Sequence, residues 1–281
     1  MKIKKPLRIL YFAFVELDIP NAPQTHTLGV LSGFCKNGCK IDAIIPRPKK
    51  IVPNIDGVNF FYIWPWGFSG LNKLWAKCLG GFYLFLLCFL KKFDFIYVRE
   101  LKKNPFPRWC AKIFGIPLYF EINGLFILDQ ELSKRKRNDT KRLEKNQRLD
   151  FQCADGLIVP SFPRSRWIIK KYGIHPKKVY ATLNGATIPD KMEVGRSAAL
   201  KRLNLSADGF FLGFLGTVWR HYDLKSIIRA MRLCKAQVPK ISLIIIGGGP
   251  GMQEIKEQAN NEGILCRIID LGFIQPNELF K

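Results

Sequence analysis

The feature that most constrains this chain is an alternation. Short apolar runs rich in β-branched and aromatic residues recur between longer stretches of helical character. The strand-like runs are Leu7–Val15, Lys40–Ile45, Val58–Ile63, Phe95–Val98, Pro117–Glu121, Gly156–Val159 and Lys178–Thr182. Helices are expected to start near Thr25, Gly70, Pro105, Phe126 and Pro163. Strands alternating with helices form βαβ units, and these build a parallel sheet. Right-handed crossovers then place helices on both faces. A second series follows: strand Phe210–Leu215, helix Leu224–Cys234, strand Ile241–Ile246, helix Met252–Asn261 and strand Arg267–Leu271. The turn-rich stretch Asn184-Gly185-Ala186-Thr187-Ile188-Pro189-Asp190 separates the two and reads as a linker. The expected fold class is α/β: two Rossmann-like, doubly wound domains, residues 1–187 and residues 188–281.

Composition narrows the partner. With 48% hydrophobic and 24% charged residues the chain is globular, not disordered or fibrous. Its 45 Lys+Arg against 22 Asp+Glu give +23, an excess that suits nucleic acid, an anionic membrane surface or phosphorylated substrates. Lys134–Arg148 alone holds eight basic and two acidic residues. A nucleic-acid arm is one reading of it, and a solvated helix face on a membrane-facing protein is another. No aromatic residues interleave these charges, and no zinc-finger or RNA-recognition signature occurs, so nucleic acid is left out of the expected partners. The 8 cysteines include no CxxC pair and only 3 His accompany them, so no metal is expected. Most of the cysteines are expected to be small buried hydrophobes in a reducing cytosol.

The apolar run behind the basic N-terminus meets Glu16 and Asp18 at once, without a small-residue cleavage site, and reads as a first strand. The most apolar segment, Leu79–Leu90, is too short to span a bilayer, which takes about 20 residues. Lys73, Lys77, Lys91 and Lys92 flank it. It reads as a helix buried on a sheet, with a helix at a membrane surface as the alternative.

Several loops at strand ends carry candidate chemistry. Ile246-Gly247-Gly248-Gly249-Pro250-Gly251 runs from a strand through glycines into a helix. Glycines admit a phosphate or ribose close to the backbone, and a helix N-terminus favours negative charge. It is neither a Walker A loop nor a dinucleotide fingerprint, and a plain tight turn is the competing reading. Gly216-Thr217 ends another strand, and Arg220 behind it can meet a diphosphate or be a surface Arg. Glu121-Ile122-Asn123-Gly124 lies at the C-terminal end of a strand, where doubly wound sheets bind ligands. Glu121 can accept a sugar hydroxyl or cap the next helix. His26 sits where the first βα turn enters its helix, as a substrate contact or an ordinary loop residue.

Taken in order, these stretches resemble the retaining glycosyltransferases of family 4, which have the GT-B fold. The resemblance rests on Thr25-His26 leading to Lys36-Asn37-Gly38, on Asp94 to Arg99 (DFIYVR), and on Pro117 to Gly124 (PLYFEING). It continues through Ala154 to Ser161 (ADGLIVPS), Asn184-Gly185 at the hinge, Gly216 to Met231, Ile246 to Pro250, and Phe273. It implies transfer of a sugar from a nucleotide-diphosphate sugar to a lipid-linked or polysaccharide acceptor in bacterial surface glycan assembly. That covers products such as lipopolysaccharide or capsule. It also implies retention of configuration, no cofactor and no metal. Glu121 and Asn123 are the implied catalytic pair. His26, Arg99, Gly124 and Asn184 are implied on the acceptor side, and Gly216, Thr217, Arg220, Gly247, Gly248 and Gly249 at the donor. The implied partners are the nucleotide sugar, a polyprenyl-diphosphate-linked glycan, an anionic membrane surface on the cytoplasmic side and a second glycosyltransferase chain.

The chain also departs from that pattern. The family has Arg directly after the glycine of its first donor-domain strand and Lys five residues later, where this chain has Thr217 and Tyr222. Many members have His at the position of Asn123. Fewer residues follow Asn184 than precede it, so the resemblance implies a second domain cut short before its Glu-x7-Glu segment. A catalytically inactive or partner-dependent binding subunit is the alternative function.

Overall fold

The computed structural model describes residues 5–18, 21–49, 53–64, 70–99, 104–124, 137–185, 195–220, 222–274 and 278. The helix expected near Phe126, residues 134–136 of the basic stretch, His221, and the linker beyond Gly185 lie outside them. The chain divides into two units, Met1–Ala186 and Thr187–Lys281.

Unit 1 is built on a seven-stranded sheet. Its strands are β1 (Arg8–Phe12), β2 (Lys40–Pro46), β3 (Val58–Ile63), β4 (Phe95–Arg99), β5 (Leu118–Glu121), β6 (Gly156–Val159) and β7 (Val179–Ala181). They lie in the order β3-β2-β1-β4-β5-β6-β7, and every pairing is parallel. The order reverses between β1 and β4, the switch point at which such sheets open a ligand crevice. Five described helices accompany the sheet: α1 (Ala22–Lys36), α2 (Gly70–Leu90), α3 (Phe106–Phe114), α4 (Arg137–Cys153) and α5 (Phe162–Tyr172).

Strand alternation sorts the core into two layers. Leu10, Phe12, Ile96, Val98, Leu118 and Phe120 face one way and pack with Leu84 and Leu87 of α2, Cys110 of α3, Phe151 of α4 and Ile168 of α5. Ile9, Tyr11, Ile41, Ala43 and Tyr97 face the other way and meet Leu31 of α1. Four described helices therefore share one face, and α1 covers the other. The start of α1 is fixed locally: Asn21 accepts the Gln24 N–H at 2.9 Å, and Pro23 follows in the first turn.

Helix α2 is longer than its apolar core suggested, at 21 residues. Among the described residues no helix is long and apolar enough to cross a membrane. The Gly80-Gly81 pair explains how α2 sits so close to its neighbours. A Cβ on Gly80 would stand 3.0 Å from the Phe12 ring, and one on Gly81 would stand 2.4 Å from the Phe106 ring of α3. At the helix end Lys91 donates to buried Asp42 at 2.7 Å, and Asn59 donates to the same carboxylate at 2.9 Å.

Unit 2 has a three-stranded parallel sheet in the order β10-β9-β8: β8 (Phe210–Leu215), β9 (Ile241–Ile246) and β10 (Ile268–Gly272). Its helices are α6 (Arg196–Arg202), α7 (Leu224–Cys234) and α8 (Met252–Asn261). Leu243 and Ile245 of β9, Ile228 and Met231 of α7, and Ile255 and Ala259 of α8 make its core.

The cysteines correct the sequence reading. Cys39, Cys88 and Cys110 are buried, Cys35 and Cys234 are half-buried, and Cys78, Cys153 and Cys266 are exposed. Helical residues whose neighbours pack inward need not do so themselves: Cys78 lies two residues from buried Ala76 but on the outer face of α2.

Candidate functional site

In unit 1 the candidate residues converge on Glu121, at the C-terminal end of β5 and beside the switch point. Parallel pairing of β4 with β5 puts Arg99 opposite Glu121, and Arg99 Nη1 donates to Glu121 Oε1 at 3.0 Å. Tyr97, two residues earlier on the same face, donates its hydroxyl to Oε2 at 2.9 Å. From α1, His26 Nε2 stands 2.7 Å from Oε1, bent away from a linear hydrogen bond. Asn123 Nδ2 also donates to Oε1. The Asn123 carbonyl in turn accepts from Arg164 Nη1 on α5 at 2.9 Å. Tyr11, directly opposite Tyr97 in the β1–β4 pairing, stacks on it with ring centroids 5.5 Å apart.

The carboxylate of Glu121 is buried, at 3% exposure. Burial alone would push its pKa up; the close polar contact with His26, the hydrogen bond from Asn123 and the charge of Arg99 outweigh that and hold it below the usual value. Tyr97 and Tyr11 are driven the other way, chiefly by burial and then by the Glu121 charge, so both stay neutral. With Arg99, the His26 imidazole, an amide and a phenol around it, Glu121 has both oxygens engaged within unit 1. It is an anchor, and the side chains it anchors reach outward. His26 keeps 24% of its side chain exposed, and Asn123 and Gly124 are half-buried at the strand end.

The structure thus gathers the predicted catalytic pair, Glu121 and Asn123, with His26, Arg99 and Gly124 of the predicted acceptor-side residues. Asn184 is exposed beyond β7 and is not part of this cluster. Tyr97 and Arg164 were missed by the sequence reading. The period-2 alternation of β4 does place Tyr97 on the face of Arg99. Nothing local signals that Arg164 folds onto Asn123.

In unit 2 the candidate residues meet at the C-terminal ends of β8 and β9. The two βα turns interlock through backbone. Gly216 N donates to Ile246 O, Val218 N to Gly248 O and Gly251 N to Val218 O, each at 2.9 Å. Gly247 has φ +130°, and a Cβ there would stand 2.0 Å from Gly216 O. Gly249 has φ +150°, and its Cβ would meet Val218 O at 2.6 Å. These two glycines are required by backbone approach. Gly248 differs: a Cβ there would have nothing within 4 Å. It borders open space at the turn.

The helix N-termini here also differ. Asp223 caps α7, taking the Ser226 N–H at 3.2 Å and its hydroxyl at 2.6 Å, and these bonds keep its carboxyl below the usual value. Helix α8 starts at Gly251 with no side-chain cap. Its first-turn Glu254 is shared by Arg220 Nε at 3.1 Å and Lys225 Nζ at 3.3 Å. Arg220 Nε also approaches Pro250 O at 3.3 Å, while most of its side chain stays in solvent. Thr217 is exposed beside Gly249, and Tyr222 packs its ring on Phe214. Two cations and one carboxylate thus stand at the uncapped start of α8, an arrangement that favours an anion. Among the described residues no group of His, Cys, Asp and Glu is placed to hold a metal ion.

Comparison with known proteins bears on this second site. Residues 196–281 match the family of glycosyl transferases group 1. No curated protein matches the chain in sequence. Among solved structures, Anabaena Alr3699/HepE in complex with UDP and glucose superposes with TM-score 0.63 at 17% identity, covering 96% of this chain and 70% of that one. Sucrose-phosphate synthase from Thermosynechococcus elongatus gives 0.69 at 12% identity, over 96% and 71%. WaaG, a glycosyltransferase involved in lipopolysaccharide biosynthesis, gives 0.66 at 8%, over 95% and 70%. The fold is that of the GT-B glycosyltransferases.

Proposed function

We propose that the protein transfers a sugar from a nucleotide-diphosphate sugar to a glycan acceptor. The observation that carries this reading is the pair of interlocked glycine turns, at the uncapped start of α8, inside the segment that matches glycosyl transferases group 1. The donor diphosphate lies against Gly248 and the α8 N-terminus. Arg220 and Lys225 turn from Glu254 to neutralise the charge that builds on the leaving diphosphate. Gly216, Thr217, Gly247 and Gly249 shape the turns that admit it.

The Glu121 cluster serves the acceptor side. Glu121 holds His26 and Asn123 in place, and these two present hydrogen-bonding groups to sugar hydroxyls; Arg99 fixes Glu121 in turn. The acceptor is lipid-linked, a polyprenyl-diphosphate glycan of bacterial surface assembly, and the protein works at the cytoplasmic face of an anionic membrane. Configuration is retained and no metal takes part. UDP bound to HepE supports the donor class, and the role of WaaG in lipopolysaccharide biosynthesis supports the acceptor class.

Calorimetric titration of the folded chain with UDP, GDP and their sugars tests the donor assignment. A clear preference for one nucleotide, weakened about tenfold or more by Arg220→Ala, supports it. Unchanged affinity in that variant removes Arg220 from the site. A second reading has one observation in its favour: Thr217 and Tyr222 stand where the family pattern carries Arg and Lys. A binding subunit that needs a second glycosyltransferase chain would show transfer only when that chain is added.

A further inference from the structure

Helix α2 shows that its two sequence readings are not alternatives. One face packs Ala76, Leu84, Leu87 and Cys88 into the core of unit 1. The opposite face exposes Trp75, Phe82, Phe85 and Phe89, at 53%, 57%, 47% and 71%. Their spacing of seven, three and four residues is that of a single helical stripe. Helix α3 extends it. Gly81 lets α2 approach Phe106 closely, Phe106 touches Trp109 at 5.5 Å between centroids, and Phe85 meets Phe114 at 5.2 Å. Trp109 and Ile113, one turn apart on α3, are 55% and 64% exposed. A folded protein rarely leaves a contiguous aromatic surface of this kind to water.

The charge around this surface is one-sided. Residues 70–92 and 104–116 contain six Lys and Arg and no Asp or Glu. Lys91 is held by Asp42 and Arg108 lies against Asp150, so these two are spent within the fold. Lys92 at the end of α2 and Lys112 between Trp109 and Ile113 are exposed. Aromatic side chains ringed by cations match the boundary of an anionic bilayer, where rings enter the acyl edge and ammonium groups meet phosphates.

We infer that the α2–α3 surface is the face by which this protein docks on an anionic lipid bilayer, with Phe82, Phe85, Phe89, Trp109 and Ile113 entering the interface and Lys92 and Lys112 meeting headgroups. This deepens the membrane part of the proposed function and rests on it. Neither cluster of the candidate site contributes a residue, so docking and sugar transfer can fail separately.

Sedimentation of the full chain with vesicles of phosphatidylcholine, with and without about one-third phosphatidylglycerol, tests it without any sugar donor. The account expects binding to the anionic vesicles. Phe89→Ser with Trp109→Ser should lower the partition coefficient by about tenfold or more, with the melting temperature unchanged because both side chains are already exposed. Lys92→Glu with Lys112→Glu should lower it by roughly fivefold or more per residue. No binding to anionic vesicles overturns the inference. So does binding that salt abolishes and the aromatic substitutions leave intact, which would be adsorption by net charge alone. If the wild-type chain instead forms a dimer that the Ser variants dissolve, without vesicle binding, the surface is a contact between copies and the inference is wrong.

Discussion

The two candidate sites sit at equivalent places, the C-terminal ends of parallel strands, and are held by opposite means. In unit 1 a single buried carboxylate collects Arg99, Tyr97, His26 and Asn123 from separate elements. In unit 2 the turns are locked by backbone hydrogen bonds between Gly216, Val218, Gly248 and Gly251 and their partners, with charge only at the rim. A site tied by a buried charge is sensitive to protonation and to loss of the anchor. A site tied by backbone approach is indifferent to pH and intolerant of a methyl group.

Substitution separates them most sharply. Gly247→Val should be the most damaging single change, because its Cβ would overlap Gly216 O and its φ is one that a β-branched residue avoids. The expected outcome is loss of the cooperative unfolding transition of unit 2, read by calorimetry. Glu121→Ala should cost roughly 3–5 kcal/mol, since it leaves Arg99, with only 13% of its side chain exposed, without its partner. Chemical denaturation reads that loss, and a cost below about 1 kcal/mol would show the cluster to be solvated. Gly248→Ala and Arg220→Ala should change stability by less than about 0.5 kcal/mol, the first because its Cβ enters open space and the second because its ion pair is exposed.

Acidity gives the intermediate effect, and its sign differs between two carboxylates of unit 1. The folded-state pKa of Glu121 is lowered, so its contribution is present above the usual value of 4.5 and is lost as pH falls below it. Asp150 on α4 is pushed by burial up to about 7 from 3.8, with Arg108 only partly offsetting this. Its folded form therefore holds a proton that the unfolded form has released. That contribution is largest below pH 3.8 and is lost as pH rises to about 7. Stability of unit 1 should thus fall gently from about pH 4 to 7. Asp150→Asn should flatten that slope in a melting-temperature series, while the acid limb set by Glu121 should remain.

Much of the scaffold was legible because apolar runs start and stop at turn residues. β3, β6, β8 and β9, and helices α7 and α8, have the bounds that the sequence suggests. β1 is shorter than its apolar run. Ala13 and Val15 remain buried beyond Phe12, so burial and not strand pairing made that segment apolar. Helix α6 escaped notice because Arg196–Arg202 buries only Leu200 and carries no stripe. The sites were legible as lists of residues but not as arrangements. Glu121 and Arg99 stood out separately, and only the β4–β5 register makes them partners. Gly247 and Gly249 looked like an invitation to a phosphate. The neighbouring β8 turn shows that they are spent on backbone approach and leaves Gly248 as the open position. Such facts belong to the pairing of distant segments, which no local pattern carries.

The central claim is that the glycine turns of unit 2 take a nucleotide-diphosphate sugar, and replacing Gly248, whose Cβ would enter open space, tests it most directly. Gly248→Val should leave the melting temperature within about 2 °C of the wild type, consistent with a stability change under about 0.5 kcal/mol. The account predicts that calorimetric titration with UDP and UDP-sugars gives micromolar binding to the wild-type chain and a loss of about tenfold or more in this variant. Equal affinity in the two proteins, or no nucleotide binding by the folded wild-type chain, would contradict it.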